Sequence, residues 1–141
     1  AEETISEPSK YEVMRTNSIA KKNCAIQTKL EKVISYTKQT MVAYMSEEDL
    51  NRLCAYVAEY SSGDTLQKIS PVKVDSQLKS IDIMHFGWNI GKAFSKKRIH
   101  TATFIKNVFA HTLRDLEIST IERKMSHTES VCCIKLDVKI V

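Results

Sequence analysis

From Lys10 to Met45 the chain contains neither glycine nor proline. These two residues are the usual punctuation between elements, because one frees the backbone and the other locks it. A stretch this long without either must run as one or two long elements. The scarcity holds throughout: 3 glycines and 2 prolines in 141 residues. That excludes collagen-like and low-complexity chains, and it argues against an all-β fold, which needs many tight turns. Within the stretch, Ile19, Ile26, Leu30, Val33, Thr37, Met41 and Tyr44 recur at intervals of 3, 4 or 7 residues. That is the spacing of one helix face. Lys21, Lys22, Lys29, Glu31, Lys32 and Lys38 fill the other side. Pro8 and Ser9 supply a start signal. The pattern predicts one long helix, or two broken near Thr16–Ser18; the polar Thr37 weakens a coiled-coil reading.

A second start signal follows at Ser46-Glu47-Glu48-Asp49, a serine with acids in the next turn. Leu50, Leu53, Cys54, Val57 and Ala58 then keep helical spacing, and Ser61-Ser62-Gly63 offers the stop. Residues 10–62 are therefore expected to form a helical hairpin. Residues 64–79, with Pro71, read as a connector. Ser80 to Phe94 is apolar on nearly every side, the signature of a helix buried all round, with Trp88 as a core anchor. Gly87 and Gly91, four apart, predict close approach of a neighbouring helix.

The remaining order is a basic loop at Ser95–Arg98, a short helix carrying Phe104, Ile105, Val108 and Phe109, and a capping signature at Ser119-Thr120-Ile121-Glu122. Last comes the alternation Ile134, Leu136, Val138, Ile140, which reads as a strand. Val72–Val74 would be its partner. The expected fold is mainly α: an N-terminal helical hairpin (10–62) and a C-terminal winged-helix-like, helix-turn-helix unit (70–141) with a short β element.

Enzyme signatures are absent. There is no GxGxxG, GxxxxGK[ST], HExxH or GxSxG. His85, His100, His111 and His127 share no metal-ligand spacing. Cys132 and Cys133 are adjacent, so on a strand they would point to opposite faces. We therefore expect a non-enzymatic chain with no cofactor, no metal and no disulfide framework. No apolar run reaches the roughly 18 residues of a membrane span, and no signal peptide is present, so a cytoplasmic location with no membrane partner is expected.

Charge gives the functional expectation. Residues 1–70 hold 9 Lys/Arg against 10 Asp/Glu, and residues 71–141 hold 12 against 7. A local basic excess is the footprint of a polyanion-binding face. In a helix-turn-helix, Thr120, Arg123 and Lys124 would read base edges from the capped helix. Lys96, Lys97, Arg98, His100 and Thr101 would contact phosphates, and Lys106 is a further DNA-binding candidate. The first expectation is thus a small double-stranded-DNA-binding regulator or accessory factor, paired into a homodimer or joined to a protein partner through its N-terminal helices. The alternative is a helical adaptor with no nucleic-acid role.

Overall fold

A computed structural model describes residues 9–63, 68–128 and 132–140. Among these residues the fold is five helices: α1 (Lys10–Met41), α2 (Glu47–Ser62), α3 (Ser80–Ala93), α4 (Arg98–Val108) and α5 (Ile118–Lys124). Pro8 lies outside the described residues. The start signal beside it is used: Ser9 is the N-cap of α1, its hydroxyl accepting from the Glu12 N–H at 3.2 Å. Ser46 caps α2 the same way through Asp49 N–H, also at 3.2 Å. α1 is continuous through Thr16–Ser18 and, at 32 residues, is about 48 Å long.

One core runs through both expected segments. Tyr36 of α1 stacks on Phe86 of α3, with ring centres 5.9 Å apart, and Phe86 meets Phe109 edge-on at 6.0 Å. Tyr60 of α2 packs edge-on against Phe104 of α4 at 4.3 Å. Its hydroxyl shares a hydrogen bond with Thr101 Oγ1 at 2.7 Å. α3 is the centre of this packing, as its apolar sequence implies: all but four of its residues are buried. The paired glycines do what their spacing suggests. A Cβ on Gly87 would come within 2.8 Å of Ile105, and one on Gly91 would overlap the Thr101 hydroxyl.

The expected β element is not there. Among the described residues there is no strand, so the winged-helix assignment is corrected to an all-helical one. The physical reason lies on α3. Its buried polar residues Asp82, His85 and Asn89 occupy i, i+3 and i+7, one face of the helix. They take the backbone groups that a partner strand would have taken. Asp82 Oδ1 accepts from Cys133 N–H (2.7 Å) and Ile134 N–H (3.1 Å). His85 Nδ1 meets Ile134 C=O at 2.9 Å, and its Nε2 meets His127 C=O at 2.6 Å. Asn89 Nδ2 donates to Lys135 C=O at 2.8 Å and to the Tyr36 hydroxyl at 2.9 Å. Asp137 then turns the chain through a left-handed conformation, φ 58°, which ends any strand. The proposed partner Val72–Val74 is also occupied elsewhere: Val72 N–H donates to Val108 C=O at 2.9 Å. Residues 132–140 are thus a strap fastened along α3 by side chains.

Candidate nucleic-acid interface

The residues expected to touch DNA separate into two groups once their partners are traced. One group is consumed by the fold. Arg98 donates to Glu122 C=O (2.5 Å), Arg123 C=O (3.5 Å) and Ser126 Oγ (3.2 Å). The carbonyls at a helix C-terminus have no partner within the helix, and Arg98 satisfies those of α5. Lys106 does the same for the turn before α5, donating to Leu113, Arg114 and Leu116 carbonyls at 2.6, 3.2 and 2.5 Å. Thr101 is 1% exposed, with its hydroxyl bonded to Tyr60 and Lys97 C=O. Lys96 is half-buried, with Nζ 3.4 Å from Gly63 C=O and 5.2 Å above the Tyr60 ring. His100 is half-buried as well.

The second group reaches solvent: Lys97, Arg123 and Lys124 are exposed, and Thr120 is half-exposed. They are brought together by the first group. Arg98 ties the start of α4 to the end of α5, and Lys97 is the residue immediately before Arg98 and the N-cap of α4. α5 itself begins two residues earlier than its sequence signature suggests. Its N-cap is Glu117, with no side-chain cap, so Ser119 lies inside the helix and the expected Ser119–Glu122 cap does not form. Arg123 and Lys124 consequently occupy the last turn of α5, where cations suit the helix dipole, and not the N-terminal turn from which a recognition helix reads bases.

Trp88 also departs from expectation. It is half-buried at the edge of the core, its ring under the Arg98 guanidinium at 4.9 Å, its Nε1–H donating to Asp137 Oδ1 at 2.7 Å. A cavity of about 280 Å³ opens beside it, lined by Trp88, Lys92, Ser95, Lys96, Arg98 and Thr101. Its cations are paired: Lys92 with Asp137 at 3.3 Å, the others as above. Among the described residues no three His, Cys, Asp or Glu side chains gather as metal ligands would. None of the described helices is long and apolar enough to cross a membrane.

The chain matches no family model, no curated protein and no solved structure. Any functional reading therefore rests on the geometry alone.

The strap has a built-in reporter, because Trp88 is the one tryptophan. The hydrogen bond from Trp88 is the main cause holding the Asp137 carboxyl below the usual carboxylate range; partial burial opposes it and Lys92 adds to it. A carboxyl depressed in the folded state stabilises above its unfolded value of about 3.9, and that contribution is lost as pH falls through the folded value. Trp88 emission should therefore change on acidification below about pH 4. Asp137→Asn keeps an acceptor for the indole N–H but has no proton to gain, so its emission should lack that step. An identical acid step in both proteins would show that the strap is held some other way.

Proposed function

We propose that this chain is a non-enzymatic nucleic-acid-binding protein that grips duplex phosphates through the joined ends of α4 and α5. The observation that supports this reading most is the Arg98 tie, which brings Lys97, Arg123 and Lys124 to one end of the helix pair with their side chains exposed. Contacts of this type position a protein on a duplex without reading sequence. The reading accordingly gives Arg123 a phosphate contact at the end of α5 and expects little discrimination between duplexes.

Of the stripe expected to pair two chains, Val33 and Met41 are fully buried within this one, while Ile26 stays exposed, so the α4–α5 contact is proposed for a single chain. The adaptor alternative draws on the same exposed cations, and a single experiment separates the two. Lys97, Arg123 and Lys124 are replaced together by alanine, and binding to a labelled mixed-sequence 20-base-pair duplex is followed by fluorescence anisotropy. Neutralising three phosphate contacts should weaken binding at least about 10-fold and lower the salt slope by about 2.7. Affinity unchanged from the parent would remove this site, and parent protein that ignores duplex altogether at low salt would favour the adaptor.

A further inference from the structure

The first half of α1 stands outside the packing described above. Every residue from Lys10 to Thr28 is exposed, about 28 Å of helix with no described element against it. Helices standing alone at this length are marginal in water, so a partner that binds this one also stabilises it.

Its charges indicate what that partner is. Lys10, Arg15, Lys21, Lys22, Lys29 and Lys32 lie on this half and the turn after it. At 3.6 residues per turn they fall within one arc of about 140°, spread over about 33 Å of axis. None of the six pairs with an acid among the described residues. Both acids of the segment, Glu12 and Glu31, fall outside the arc, and Glu31 accepts a hydrogen bond from Gln27 at 3.3 Å. Between the basic residues the arc carries the exposed Tyr11 and Met14 at its N-terminal end and only small side chains, Ser18, Ala25 and Thr28, beyond them. Shallow depressions lie over Ser18, between Arg15 and Ile19, and over Ala25 and Thr28, between Lys21 and Lys32.

We propose that the projecting half of α1 is a second nucleic-acid contact, an arm that lays its basic stripe along the phosphates of duplex DNA. An α-helix has the width that the major groove admits, and duplex DNA presents a phosphate charge about every 1.7 Å along its axis. Two rival occupants fit less well. A second copy set against the basic stripe meets like charges, and one set against the side away from it finds only Val13, Ile19 and Ile26 as exposed large apolar anchors. A lipid surface needs one continuous apolar face opposite the charges. The exposed apolar residues here, Tyr11, Val13, Met14, Ile19 and Ile26, spread over most of the circumference. The arm shares no residue with the α4–α5 patch, so the two contacts stand or fall separately.

The test uses the full 141-residue chain. Arg15, Lys21 and Lys22 are changed together to glutamate. Lys38→Glu, on the same helix but off the arc, is the control. Because the arm packs on nothing described, the triple variant should melt with the parent. Its affinity for a labelled mixed-sequence 20-base-pair duplex should fall at least about 10-fold, and its salt slope by about 2.7. Lys38→Glu should change affinity less than 3-fold. Hydrogen exchange on the unaltered protein gives a second reading: amides from Lys10 to Thr28 should gain protection when duplex is added.

Parent-like affinity in the triple variant, an equal loss in Lys38→Glu, or arm amides unmoved by duplex would each overturn the proposal. So would arm protection that appears with anionic phosphatidylserine vesicles or polyglutamate but not with duplex. A loss confined to the arm variant leaves this contact standing and removes the α4–α5 site. A loss confined to the Lys97, Arg123 and Lys124 variant does the reverse.

Discussion

Asp82→Ala is expected to destabilise the protein by about 3–5 kcal/mol, a large part of what holds a domain of this size together. The carboxylate is 1% exposed and accepts from three backbone N–H groups: Lys79 at 2.9 Å through Oδ2, and Cys133 and Ile134 through Oδ1. Hydrogen bonds to a charged acceptor contribute about 1.5–3 kcal/mol each, though not additively, and their loss here leaves buried donors without partners. Asn is a graded test. It keeps one oxygen for the strap, but its amide must then face the Lys79 N–H, donor against donor. Its cost should fall between those of Asp and Ala. Chemical denaturation measures both, and a loss under about 1 kcal/mol for Asp82→Ala would show that the strap is not held by this carboxylate.

Gly91→Ala should cost about 2 kcal/mol net, even though alanine gains nearly 1 kcal/mol over glycine within a helix. The new methyl group overlaps the Thr101 hydroxyl, and that hydroxyl cannot step aside without losing Tyr60 at 2.7 Å and Lys97 C=O at 3.2 Å. Gly87→Ala makes the contrast. Its methyl group meets the buried Ile105 side chain, Cγ2 at 2.8 Å and Cδ1 at 3.0 Å, an apolar contact that breaks no hydrogen bond, so the loss should be smaller, about 1 kcal/mol. Thr101→Ala costs stability of its own but should restore much of what Gly91→Ala loses, a coupling that a double-mutant cycle isolates. Equal losses at the two glycines would mean that the hydrogen bonds of Thr101 do not set the cost at Gly91.

These same residues mark how far the sequence could be read. Helix starts at Ser9 and Ser46 were legible because a cap is local: a hydroxyl and an N–H three residues on. The Gly87–Gly91 contact was legible because the spacing itself requires it. The strap was not. Alternation at Ile134–Ile140 is a local pattern, whereas a strand needs a distant partner, and here the partner is a row of side chains on α3. The signal was present in Asp82, His85 and Asn89, polar residues spaced along a helix otherwise built for burial. The same reasoning covers the candidate site. Arg98 and Lys106 look like phosphate ligands in sequence, but helix ends leave carbonyls that need donors, and those two side chains supply them. The α1 stripe was hidden by averaging. The acids at residues 2–7 and 47–49 cancel its charge in the total for the first half, while the helix concentrates it on one face.

The most direct measurement of the central claim is the salt dependence of duplex binding by the unaltered chain. With three cations at the α4–α5 end and six on the arm available to phosphates, log Kd should rise with log salt with a slope of at least about 4. Alanine at Lys97, Arg123 and Lys124 should lower that slope by about 2.7. No binding to the duplex at 50 mM salt, or binding whose affinity is indifferent to salt, would contradict the account.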